Sequence, residues 1–150
     1  MAPLFELAGP DLDPGYLNLR AAEYPAEQVI KAALEGMWVR FEPYADADFA
    51  MAFAHDPDAR FWEMYLGCAL LDAGKALQLR ANRAQGQGNP DLCIIDGDRR
   101  IWIEAISPDV GDVGVDQVPW LVMLEDGGAA QAQPIRQIHL RITSGLWTKK

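Results

Sequence analysis

Three acidic residues in the middle of the chain carry the strongest chemical signal in the sequence. Asp91 and Glu104 each fall in a short run of β-branched and aromatic residues, and Glu63 falls in an apolar segment with helical periodicity. Mg²⁺ characteristically takes one or two protein carboxylates and keeps its other positions for water and phosphate oxygens. The residue types therefore indicate a metal site that could act on a phosphodiester.

The segment between Asp91 and Glu104 is typical of a β-hairpin. The turn Asp96-Gly97-Asp98 separates two predicted strands, 91–95 and 101–106. If the last two turn residues form the loop, Asp91 lies directly opposite Glu104. If the first two form it, the acids are diagonal neighbours on the same face, and a three-residue loop would put them on opposite faces.

Two interpretations of this acidic pair are open. Like charges directly opposite each other destabilise a strand ladder unless something neutralises them, and a divalent cation would do so. Alternatively, the two carboxylates are half-exposed strand acids that pair with Arg83 or Arg99. The pair alone does not decide between these interpretations.

A third acid, Glu63, is predicted on the best helix of the chain, from Ala59 to Asp72, with Asp58 as its N-cap and Gly74 as its stop. Three residues share the predicted face of Glu63 at helical spacing: Leu66, Gly67 and Leu70. The carboxylate is thus expected among core-facing residues, where an unpartnered acid is costly. The alternative is a glutamate near the helix N-terminus that the helix dipole favours.

These residues together resemble the PD-(D/E)XK superfamily of restriction and repair nucleases. The likeness rests on Glu63 in Phe61-Trp62-Glu63-Met64-Tyr65, on Pro90-Asp91 at a strand start, and on Ile103-Glu104-Ala105. It covers residues 60–106 and extends less clearly to 138–150. The chain also resembles bacterial proteins that share a tryptophan-glutamate helix, a Pro-Asp strand and a Trp-Ile-Glu-Ala strand.

The resemblance implies an α/β fold of restriction-endonuclease type, an α-β-β-β-α core whose final strand is expected to be missing, with an N-terminal helical arm. It implies that Asp91 and Glu104 bind Mg²⁺ or Mn²⁺ and that Glu63 assists from the helix. The family places a lysine two positions after the second acid, where this chain has Ile106. Lys149, or its neighbour in sequence, is the candidate to replace it.

Charge is distributed unevenly along the 150 residues, whose formal net charge is −9. Residues 1–58 hold 11 acids and 3 bases, and we expect them to form an acidic arm and helices packed on a nuclease-like core, 59–150, within a single domain. DNA remains a candidate partner of the core. The acidic region favours a protein partner, and a homodimer is a further alternative.

The N-terminus and the apolar runs predict a cytoplasmic protein without a membrane span. Met1 to Pro14 contains three acids and no base, unlike a secretory signal, and no apolar run reaches the roughly 18 residues of a transmembrane helix. Two functions follow as expectations. One is a metal-dependent nuclease, and the other is a catalytically inactive nuclease-fold binding module, which Ile106 favours because an aliphatic side chain cannot stabilise developing charge.

Overall fold

The computed structural model describes residues 2–83 and 90–105. These residues belong to one compact unit, Met1–Ala105. Ile106, Lys149 and the remaining predictions for 106–150 lie outside the described residues.

The described residues form a mixed α/β structure of four helices and a small antiparallel sheet. The helices are α1 (Pro14–Ala21), α2 (Pro25–Phe41), α3 (Phe49–His55) and α4 (Pro57–Asp72). The strands are β1 (Ala76–Leu77), β2 (Leu92–Asp96) and β3 (Arg99–Ile103), in the spatial order β1-β2-β3.

Helix α4 begins two residues earlier than the sequence predicted. Its N-cap is Asp56, whose side chain accepts a hydrogen bond from the Ala59 N–H at 3.1 Å, and Pro57 occupies the first helical position. Proline suits that position because its missing N–H has no partner there. The prediction that Asp58 caps the helix was therefore wrong, and Asp58 lies in the first turn, where the dipole also favours an acid.

Helix α2 is buried only in its carboxyl-terminal half. Leu34, Trp38 and Phe41 are buried, whereas Val29 and Ile30 nearer its start are exposed. The neighbouring helices pack against the carboxyl-terminal half of α2, since the α3 ring of Phe49 stacks on Trp38 and lies edge-on to Phe41. The first turns of α2 therefore lie outside the core.

The segment before α1 is irregular, and it is attached firmly to α2. The N–H groups of Leu4 and Phe5 donate to the carboxylate of Glu35, each at 3.1 Å, and the indole N–H of Trp38 donates to the Ala2 carbonyl at 3.0 Å. Leu4 is fully buried as a result. Charge-assisted hydrogen bonds of this kind are stronger than neutral ones, so Glu35 anchors the arm.

The largest fully buried side chains come from the arm, all four helices and β2: Leu4, Tyr16, Phe41, Phe49, Phe53, Met64, Leu92 and Cys93. Helix α4 reaches this core closely at Gly67. A Cβ at that position would lie 2.4 and 2.6 Å from two ring carbons of Phe41. The glycine therefore allows α4 to pack directly against the Phe41 ring.

Strand β1 is short. It pairs Ala76 with Ile95 and Leu77 with Ile94, and a 3₁₀ turn, Arg80–Asn82, follows. The chain leaves the sheet there because Arg80 N–H donates to the Pro43 carbonyl at 3.0 Å instead of extending the ladder. Helix α4 returns to the sheet through Gly74, which has a φ of +69°.

None of the helices within residues 2–83 and 90–105 is long and apolar enough to cross a membrane.

We expect Gly67→Ala to lower the free energy of unfolding by about 1–3 kcal/mol, because the new methyl group overlaps the Phe41 ring and forces the two helices apart. Urea denaturation monitored by circular dichroism measures the change. Gly36→Ala is the matched control, since nothing lies within 4 Å of a Cβ at that exposed position of α2. It should stabilise the protein by up to about 1 kcal/mol through helix propensity. Equal effects of the two substitutions would contradict the close packing at Gly67.

Candidate functional site

The hairpin has the register in which Gly97 and Asp98 form the loop. Asp96 pairs with Arg99, and the ladder continues to Leu92 opposite Ile103. This confirms the first of the two even-length alternatives. The next positions outward on the two strands are 91 and 104, which places the two predicted acids together at the open end of the hairpin.

The two strand acids differ in their surroundings. Asp91 is partly buried, and its Oδ2 accepts a hydrogen bond of 2.7 Å from the Ala105 N–H. Glu104 is exposed. The bond fixes the Asp91 carboxylate across the open end of the hairpin, beside the backbone of the residue that follows Glu104.

Glu63 is buried, as its helical spacing predicted. Only 3% of its surface is exposed, and its Oε2 accepts a hydrogen bond of 2.7 Å from the guanidinium of Arg60, one turn earlier on α4. Burial is the main cause that raises the pKa of Glu63 to about 7, and the charge of Asp91 raises it further. Arg60 lowers it, and Asp46 adds a smaller upward effect.

The charge of Asp91, just before β2, contributes to the raised pKa of Glu63 on α4, so the two carboxylates lie within electrostatic range of each other. Arg60 forms the ion pair with Glu63; burial lowers the pKa of its guanidinium, whereas the charges of Glu63 and Asp91 raise it. An ion pair three residues apart on a helix is a recognisable sequence pattern. Arg60 could therefore have been predicted from its spacing to Glu63, although the sequence reasoning did not single it out.

A buried arginine supports the backbone at Asp91. Arg83 is 5% exposed, and its Nη1 donates to the carbonyls of Asp91 at 2.7 Å and Pro90 at 3.2 Å. Its Nη2 donates to the Tyr44 carbonyl and lies 3.6 Å from Oδ1 of Asp46. The sequence suggested Arg83 as a partner of the strand acids, and in the structure its guanidinium donates to the backbone carbonyl of Asp91.

Asp46, which lies beside Arg83, is a further residue near the site that the sequence did not predict. It follows α2 in a turn and forms an ion pair of 2.9 Å with Arg80 in addition to its proximity to Arg83. No local pattern around Asp46 indicates such a role. Its position depends on how the turn after α2 packs against the segment before β2.

The two cysteines, Cys68 and Cys93, are buried free thiols. Cys68 donates to the Met37 carbonyl at 3.5 Å, and burial raises the pKa of its thiol. Among residues 2–83 and 90–105, no group of three histidine, cysteine or acidic side chains could hold a metal ion. Lys149, the fourth residue of the predicted site, lies outside the described residues.

Neither a family model, nor a curated protein, nor a solved structure matches this chain. The class that the fold itself defines is a mixed α/β protein with an acidic helix–hairpin site.

We expect Arg83→Met to lower the free energy of unfolding by about 3 kcal/mol, because it removes a buried guanidinium that donates to the part-buried carbonyls of Asp91 and Tyr44. Chemical denaturation measures the loss. Arg99→Met is the matched control, since the Arg99 side chain is 81% exposed and pairs with Asp96 at the surface. A loss below about 0.5 kcal/mol is expected there. Similar losses in both variants would contradict a structural role specific to Arg83.

The raised pKa of Glu63 predicts a specific pH dependence of stability. The pKa is about 7 in the folded protein against 4.5 for an ordinary glutamate, so the folded state binds more protons between these pH values. The free energy of unfolding should therefore fall as pH rises from about 4.5 to 7, by up to about 3 kcal/mol from this group.

Glu63→Gln should remove this part of the decline, and urea denaturation at several pH values between 4.5 and 8 measures it. Glu23→Gln, at an exposed position, serves as the control and should leave the slope unchanged. If the curves of wild type and Glu63→Gln run parallel throughout, the carboxylate does not titrate as described.

Proposed function

We propose that this chain is a divergent metal-dependent nuclease of the restriction-endonuclease-like type, which hydrolyses phosphodiesters of nucleic acids. The proposal is supported by the buried carboxylate of Glu63 on α4, whose pKa is raised by burial and by the charge of Asp91 just before β2. In the hairpin register, Glu104 is the position opposite Asp91, one step beyond the pair of Leu92 and Ile103. Helix acid, first strand acid and second strand acid are thus the elements that the resemblance requires.

The strand acids suit a hard cation. Asp91 and Glu104 would hold Mg²⁺ or Mn²⁺, because two carboxylates are sufficient when water and phosphate oxygens complete the coordination. The Ala105 N–H already orients the Asp91 carboxylate at 2.7 Å, and supporting hydrogen bonds of this kind tune metal ligands. When bound, such a cation lowers the pKa of a water molecule and screens the charge of the phosphate.

Glu63 and Arg60 supply a proton-carrying group beside these acids. With a pKa of about 7, Glu63 exchanges a proton near neutral pH, which is the range in which a general acid or base is most effective. The hydrogen bond from Arg60 holds the Glu63 carboxylate in one orientation. We therefore assign Glu63 the role of orienting the attacking water, and Lys149 the role of the family lysine.

A binding module without catalysis is the second candidate function. It is supported by Ile106 at the position of the family lysine, since an aliphatic side chain can neither donate to a developing oxyanion nor assist a water molecule. In this alternative the acids retain a structural or metal-binding role, and the fold presents a surface to a partner.

We expect Asp91→Asn to weaken Mn²⁺ binding by at least tenfold, because it removes one of two charged ligands while preserving the shape of the side chain. Isothermal titration calorimetry measures the affinity. Asp96→Asn, at the other end of the same strand, is the matched control and should bind as wild type. Wild-type protein that binds no Mn²⁺, or an equal loss in both variants, would contradict the proposed metal site.

Cleavage of labelled single- and double-stranded DNA then separates the two candidate functions. A nuclease should require Mg²⁺ or Mn²⁺ and should lose activity in Asp91→Asn and Lys149→Ala. Metal binding without cleavage of either substrate would favour the binding module.

A further inference from the structure

Helix α4 has an exposed aromatic face on the side that does not enter the core. Trp62 and Tyr65 are 51% and 50% exposed, and Asp58 precedes Trp62 by one helical turn. Residues three and four apart share a helix surface, so these side chains and Phe61 form one patch, which we call the aromatic face. The sequence favoured core or interface positions for the tryptophans, and Trp62 is not in the core.

The rings of the aromatic face support one another. Phe61 lies 5.7 Å from the ring centroids of both Trp62 and Tyr65, and those two rings meet edge-on at 5.8 Å. Phe61 also packs against the hydrophobic core. The exposed rings are therefore held in place, so a ligand that binds them would cost little side-chain ordering.

The charge around the aromatic face is negative. Asp58 is exposed in the first turn of α4, and Asp56 is exposed at its N-cap. Arg60 is the one basic residue in the sequence of α4, and its guanidinium donates a hydrogen bond to Glu63. The chain as a whole carries a formal net charge of −9.

We propose that the aromatic face docks an arginine- or lysine-rich segment of a protein partner. Its cationic groups lie over the faces of Trp62 and Tyr65, where the ring quadrupole attracts them, and pair with Asp58. The acidic surroundings raise the local concentration of such a segment and repel phosphates. A basic peptide therefore fits this face better than a nucleic acid does.

This surface is separate from the acidic site. Glu63 enters the core side of α4 together with Gly67, whereas Trp62 and Tyr65 point away from it. The docking proposal consequently does not depend on metal binding or on catalysis.

Fluorescence anisotropy with a labelled peptide of alternating arginine and glycine tests the proposal. Wild type should bind it more tightly than a glutamate–glycine peptide of equal length, and more weakly as salt increases. Trp62→Ala should weaken binding roughly tenfold, and Asp58→Asn about threefold. Trp102→Ala, at a tryptophan of β3 that is 46% exposed, and Asp98→Asn, in the hairpin turn, should bind as wild type.

Two further variants distinguish the effect of the aromatic π face on binding from the effect of side-chain size, and a folding check accompanies them. Trp62→Tyr should retain most of the affinity, whereas Trp62→Leu should lose it, and circular dichroism checks that both are folded. Equal binding of the two peptides, or equal losses in Trp62→Ala and Trp102→Ala, would overturn the proposal. So would a Trp62-dependent affinity for oligothymidine without peptide binding, or a dimer in sedimentation that Trp62→Ala abolishes.

Discussion

The buried guanidinium of Arg83 joins parts of the chain that are distant in sequence. It binds the carbonyls of Pro90 and Asp91 at the entry to β2 and the carbonyl of Tyr44 after α2, with Asp46 close by. A guanidinium can serve several acceptors at once because its donors are fixed in a planar fork. Arg83 therefore ties the entry to the hairpin, and with it the backbone of Asp91, to the turn that follows α2.

Burial and a neighbouring charge together determine the pKa of Glu63 in the acidic site. Glu63 is buried close enough to Asp91 to feel its charge, and both effects favour the protonated carboxyl. Arg60 offsets part of this cost and keeps the side chain oriented. A purely structural position would be served as well by an apolar residue, so the retained carboxylate is the feature that the proposed function explains.

Helix α4 has two different sides. Its core side carries Gly67, which contacts the Phe41 ring and so sets the distance to α2, and Glu63, whose pKa responds to the charge of Asp91. Its other side presents Trp62 and Tyr65 to solvent. A shift of α4 caused by a change at Gly67 would therefore also displace Glu63 from Asp91.

The sequence by itself determined the features that depend on local spacing. The hairpin turn left three registers open, two of which put the acids on one face. The helical period of α4 identified Glu63 as a core-facing acid, because strand and helix periodicities act over a few residues. Only the tertiary structure decided that the first turns of α2 are exposed, that Arg83 holds the backbone of Asp91, and that Asp46 joins the cluster. These depend on contacts between segments far apart in the chain, for which no local pattern carries a signal.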